Sequence, residues 1–138
     1  MQIAAVVVVA WALTAFLVVT YFKAGTFKLT APMAKLAQAG MGWTTKAGEG
    51  TVRTIAVLEL AGAAGIVLAP IASEFLGLSW AQPWGVAAAL GLVLVMVVAF
   101  IMHGARGETK YTWKINTQLL VASAAVSVLL AVYGGKLF

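Results

Sequence analysis

The chain has no cysteine and a single histidine, and charged residues make up only 9% of its 138 positions. Without cysteine there can be no disulfide, thiolate nucleophile, dithiol relay or cysteine-held iron–sulfur cluster. One histidine cannot supply the paired axial ligands of a transmembrane haem, and four scattered carboxylates offer no metal cage. No glycine-rich phosphate loop follows a strand, so no dedicated cofactor is expected. The scarcity of charge matters most, because an average soluble chain carries roughly a quarter charged residues. With 63% hydrophobic residues, this chain has more apolar surface than a soluble fold of its size can bury.

The apolar residues fall into runs that match a bilayer. A spanning helix needs about 20 predominantly apolar residues, at about 1.5 Å each against a core near 30 Å. Four windows qualify: Gln2 to Phe22, Thr54 to Ala72, Pro83 to Met102 and Ile115 to Gly134. They are too long for strands and lack alternation. The expected fold is therefore all-α, a polytopic four-transmembrane-helix bundle forming one membrane domain over residues 1–138. The first run follows Met1-Gln2 without a basic segment and exceeds a signal peptide's apolar core, so a retained helix is expected.

Loop chemistry adds orientation. Aromatic residues bracket the windows, with Tyr21, Phe22, Tyr111 and Trp113 at one face and Trp80, Trp84, Tyr133 and Phe138 at the other. The connection from Lys23 to Arg53 holds five basic residues against Glu49, and that from His103 to Lys114 holds Arg106, Lys110 and Lys114 against Glu108. The net charge of +5 is thus a matter of membrane orientation and not of nucleic-acid binding. Both basic connections are expected in the cytoplasm and both termini outside. Within the first connection, Thr30 can cap and Pro32 suits a first turn. Met33, Leu36 and Ala37 then recur at helical spacing until Gly40, predicting a short amphipathic helix on the membrane surface.

Ionisable groups within a bilayer cost about 2.5–3.5 kcal/mol each on insertion scales, so each needs a partner or a purpose. Glu59 is the candidate, about five residues (roughly 8 Å) into the second window. Arg53 lies six residues earlier, about 120° around the helix, which argues against an ion pair between them. The partner must come from elsewhere, and Lys28, Arg106 and protonated His103 are all available. Lys28, Arg53, His103 and Asn116 lie at the same end of the bundle as Glu59, forming a candidate polar pocket. The alternative is that the cations only anchor the cytoplasmic face and that His103 complements a helix C-terminus.

Spacing predicts which faces point inward. If the first helix continues past the interface, Thr14, Tyr21, Gly25 and Lys28 share one face. On the fourth, Asn116, Leu120, Ser123 and Ser127 form a stripe. On the second, Ala61, Gly65 and Ala69 permit close backbone approach beside a face made by Glu59, Gly62, Ala63 and Ile66.

Ala24-Gly25, Lys28-Leu29, Met41-Gly42-Trp43, Val52-Arg53, the run from Val57 through Glu59 to Gly65, and His103 together resemble the DoxX-like family over nearly the whole chain. The resemblance implies a small four-helix membrane protein whose polar positions correspond here to Lys28, Arg53, Glu59 and His103. That broad group includes subunits associated with a quinone-linked thiosulfate oxidoreductase, partners of other membrane redox systems, and distant relatives that assist receptor assembly. Relatives that use thiol chemistry carry cysteines, and this chain does not. The expectation is an accessory subunit of a membrane redox complex, with a quinone as candidate ligand and no enzyme activity assigned to the chain alone. Partners are the lipid bilayer and other membrane subunits or further copies of itself. A noncatalytic assembly factor, and a binder or transporter of a small lipophilic molecule, are the alternatives.

Overall fold

A computed structural model describes residues 2–136. Phe138, assigned above to an aromatic belt, lies outside the described residues. Four long helices dominate, α1 (Gln2–Thr30), α4 (Glu49–Phe75), α5 (Ala81–Ala105) and α6 (Thr109–Tyr133), with the short α2 (Met33–Gln38) and α3 (Thr44–Ala47) between the first two. A turn of 3₁₀ helix follows at Gly134–Lys136. All four long helices are apolar and long enough to cross a membrane, and the protein is a four-helix membrane bundle.

α1, α4 and α5 contain their expected windows and α6 stops one residue short of its own at Tyr133, and all four extend beyond the window at the basic end. α1 runs on through Lys23 and Lys28 to Thr30, α4 begins at Glu49 and α6 at Thr109. Apolar windows stop at the first charges, whereas the backbone hydrogen-bond ladder continues wherever the helix remains favourable. Pro83 falls in the first turn of α5, and α6 ends against Gly134, whose φ is 25°. Pro70 lies inside α4 and is buried there.

The helices form a ring in the order α1, α4, α5, α6. α4–α5 and α5–α6 are the most extensive contacts, and α6 closes back on α1 through the slightest of the four. Leu17, Tyr21, Ile66, Ala89, Leu92 and Val126 belong to the buried core between them. Small residues bring the backbones together, as spacing predicted for Gly65. A Cβ added there would lie 2.5 Å from the Ala88 Cβ of α5. Gly25 plays the same part between α1 and α4, where an added Cβ would sit 2.8 Å from Leu60 Cγ. Ala61, expected to share in the close approach, is exposed.

α2 and α3 fold over the basic end. Leu36, Trp43 and Val52 form a second buried cluster with Ala31, packed against Phe27, Met33, Met41, Ile55 and Met102. The predicted short helix is therefore present, with Leu36 as its buried anchor, but Thr30 does not cap it. Pro32 occupies the N-cap position, and the Thr30 hydroxyl donates back to the Thr26 carbonyl at 2.8 Å. This local bond competes with capping. α3 was not anticipated.

Candidate functional site

The inward face of α1 carries Thr14, Leu17, Tyr21, Gly25 and Lys28, the stripe that the spacing implied. At its end the Lys28 side chain turns into the bundle and meets Glu59 of α4. Lys28 Nζ stands 2.5 Å from both carboxylate oxygens. Oε1 accepts a hydrogen bond, whereas Oε2 is buried without one. Lys28 is 7% and Glu59 3% exposed, so the pair is withdrawn from the lipid surface. Of the three cations that could have paired with Glu59, the fold selects Lys28.

Arg53 serves the same junction through the backbone. Its guanidinium donates to the Lys28 carbonyl, to the Ala31 carbonyl at 2.9 Å, and to Glu49 Oε1 at 3.0 Å within α4. The last carbonyls of a helix have no partner within it. Arg53 thus fastens the end of α1 to α4, and its planar fork suits two acceptors at once.

Deeper in the bundle, polar groups gather without forming bonds. The Tyr21 hydroxyl lies beside Ser123 and within electrostatic reach of Glu59. Neither it nor Ser123 Oγ makes a hydrogen bond of normal geometry, and Asn116 Nδ2 is likewise buried without a partner. Only Ser127 satisfies itself locally, donating to the Ser123 carbonyl at 2.8 Å. Tyr21 is 1% exposed, so it is not part of an aromatic belt. Its place on the α1 stripe overrides the headgroup preference of tyrosine. Phe22, Trp80, Trp84, Tyr111 and Trp113 are exposed as belt residues should be. Lys110 and Lys114 sit 6.0 Å and 5.8 Å from the Tyr111 and Trp113 ring centroids.

His103 does not join Glu59. It stands at the α5–α6 turn, where its Nδ1 lies 2.8 Å from Glu108 Oε2 while Arg106 Nε donates to Glu108 Oε1 at 2.8 Å. The two hydrogen bonds, His103's first and Arg106's second, hold the Glu108 carboxyl below its ordinary value. Arg106 also reaches the cap, 3.8 Å from where a Gly42 Cβ would sit. No hydrogen bond or ion pair among the described residues links His103 or Asn116 to Lys28 or Glu59. The expected single cluster is thus two: Lys28–Glu59–Arg53 inside, and His103–Arg106–Glu108 on the turn. Glu108 was overlooked as the centre of the second, although its place five residues after His103, across a glycine turn, was the available signal. No group of three metal-ligating side chains is present among the described residues.

A four-helix bundle within the bilayer, carrying one buried lysine–glutamate pair and a line of inward polar side chains, defines a small polytopic membrane protein with a charged interior end. The chain belongs to the DoxX-like family, whose profile matches residues 12–127. That match takes in α4, α5, most of α1 and α6, and both polar clusters. No curated protein and no solved structure matches the chain.

Proposed function

We propose that this protein is a noncatalytic accessory subunit of a quinone-linked membrane redox complex. The polar interior at the basic end of the bundle would engage a quinone headgroup or a partner subunit. The supporting observation is the set of buried polar atoms Tyr21 Oη, Asn116 Nδ2 and Ser123 Oγ, drawn from α1 and α6, that lack a hydrogen bond of normal geometry. Leaving such a group unpaired costs about 1–3 kcal/mol. Three of them inside one small bundle therefore favour a binding role over packing alone. The ion pair sets the local charge to near neutral, which suits an uncharged headgroup. In this reading the basic end faces the cytoplasm, as the five basic residues of the first connection favour.

The test is native mass spectrometry of the tagged protein released gently from its own membranes, combined with quinone-dependent respiration in a deletion strain. A retained quinone or a redox partner is expected. Retention of neither, together with unchanged respiration, removes the proposal. Because the chain has no native cysteine, single-cysteine labelling at Lys46 and Ser79 reads the orientation directly, with Lys46 expected to be inside.

A second reading draws on the completeness of the Lys28–Glu59 pair, which leaves little charge to spend on a ligand. In it the protein is an assembly factor that holds client helices. Tyr21→Phe and Ser123→Ala distinguish the two, because they should impair an accessory redox subunit while leaving the abundance of a client unchanged.

A further inference from the structure

Every carboxylate at the basic end of the bundle is already engaged. Glu59 holds Lys28, Glu49 holds Arg53, and Glu108 holds His103 and Arg106. The fourth, Glu74, lies at the far end of α4. The remaining cations of the basic end, Lys23, Lys35, Lys46, Lys110 and Lys114, are all exposed and form no ion pair with any described residue. Lys35 and Lys46 belong to the short connecting helices. The other three stand on spanning helices, and all of them on α1 and α6. In α4 and α5 the cations Arg53 and His103 are both engaged. Within the spanning helices, unpaired positive charge at this end is thus confined to one side of the ring.

Lys23 is the worst placed of the three. It precedes Lys28 by five residues, so it starts about 8 Å deeper in α1 and about 140° around the helix. Lys28 turns inward to Glu59, whereas Lys23 is exposed on the lipid-facing side with Phe16, Val19 and Phe22. The Tyr21–Ser123 contact gives the register against α6, and by it Lys23 starts about 10 Å deeper than Lys114. The Cα–Cβ bonds of a helix tilt towards its N-terminus, which is at the basic end of α6 but at the far end of α1. Lys110 and Lys114 are therefore directed towards the headgroups, while Lys23 must bend its stem back to reach them. A lipid-exposed ammonium at that depth, with no counter-ion in the chain, calls for an anion from outside it.

That anion has to reside at the lipid interface and accept the apolar surface beneath. A phospholipid phosphate does both. Phe16 lies seven residues below Lys23 on the same face and, with Val121 of α6, presents apolar surface that accepts any acyl chain. Charge is therefore what discriminates among lipids. A zwitterionic headgroup brings its own cation, whereas an anionic one keeps its net charge for the lysines. Lys110 and Lys114 stand beside Tyr111 and Trp113, rings of the kind found at headgroup depth. We propose that Lys23 and Lys114 hold the phosphate of an anionic phospholipid retained on the α1–α6 side of the bundle. Lys110, one turn nearer the water, adds its field, and basic residues on adjoining spanning helices suit such headgroups. The inference is independent of the redox reading and stands whether or not a quinone binds.

The experiment is native mass spectrometry of the full chain in detergent, titrated with phosphatidylglycerol or phosphatidylcholine of the same acyl chains. One phosphatidylglycerol molecule is expected to bind about 10-fold or more tightly than phosphatidylcholine, as two lysines near an anionic headgroup would give. Lys23→Gln should lower the phosphatidylglycerol affinity by about 5-fold and leave phosphatidylcholine unchanged, whereas Lys35→Gln and Lys46→Gln should alter neither. Lys23→Arg should keep the preference. All three positions are exposed, so the variants test the site without disturbing the core. Equal affinity for the two lipids overturns the proposal. So do losses from Lys35→Gln and Lys46→Gln as large as that from Lys23→Gln, which would mean diffuse surface charge. A benzophenone side chain in place of Phe16 that crosslinks a second protein chain in native membranes, and not lipid, overturns it in favour of an acidic partner helix.

Discussion

Replacing Glu59 by Met leaves the Lys28 ammonium buried, 7% exposed, without the carboxylate that now lies 2.5 Å away. Removing one partner of a buried ion pair costs about 3–5 kcal/mol, because the remaining charge loses its compensation but keeps its desolvation cost. Lys28→Met should cost a similar amount by stranding the carboxylate. Replacing both with methionine, unbranched and of comparable length, removes both desolvation costs, and such double replacements are commonly neutral or stabilising by about 1–4 kcal/mol. The signature is therefore non-additivity: two damaging single variants and a double variant close to the parent. Unfolding by heat or sodium dodecyl sulfate in micelles, followed by tryptophan fluorescence, measures all four corners of the cycle. Trp43, buried in the cluster at the basic end, is among the tryptophans that report. Single variants within about 1 kcal/mol of the parent, or a double variant as unstable as the sum of the singles, would refute the claim that this pair is a desolvated, mutually dependent unit.

Arg53→Ala should loosen the last turn of α1, raising amide exchange there. Arg53→Lys should not restore it, because one ammonium cannot reproduce the fork that spans the Lys28 and Ala31 carbonyls. Gly65→Ala should destabilise by about 1–3 kcal/mol in the same unfolding assay, as the new methyl meets a backbone-anchored neighbour. Ala88→Gly should recover much of the loss by reopening that space. At the α5–α6 turn, the Glu108 carboxyl is depressed below its ordinary 4.5, so the stabilisation it brings is complete above that value and lost as pH falls through the lower folded value. Deuterium uptake across residues 103–112, corrected for intrinsic rates, should rise only in that acid window, and Glu108→Gln should show the same opening at neutral pH. Uptake that stays flat while the carboxyl protonates, as followed by NMR of the same side chain, would remove the tie.

The four spans were legible because 20-residue apolar runs admit few other structures, and their ends were not, because charge stops an apolar window without stopping a helix. α1 shows this most clearly. Lys23 and Lys28 close the window at Phe22, yet the helix runs on for six further residues to bring Lys28 to Glu59 and ends only at Thr30. The inward stripe of α1 could be read from spacing, since a repeat of three and four residues fixes a face. What spacing cannot supply is the neighbour across that face, and so Lys28, Arg106 and His103 remained equal candidates. His103 was lost to Glu108, a partner five residues away across a turn, which local proximity favours over any approach through the bundle. Tyr21 met two competing rules, the headgroup preference of aromatics and the α1 periodicity, and packing decided for the second.

The span of 31 residues between Lys28 and Glu59 also bears on biogenesis. α1 leaves the ribosome before its acidic partner has been made, so the ammonium must wait among the lipid headgroups, which its long stem permits. Only when α4 arrives can that charge turn inward, drawing the end of α1 into register and allowing the cap to settle over it. Completion of the fold is thereby tied to delivery of the second span, and a chain stalled before that point would display an unburied lysine as the mark of its immaturity.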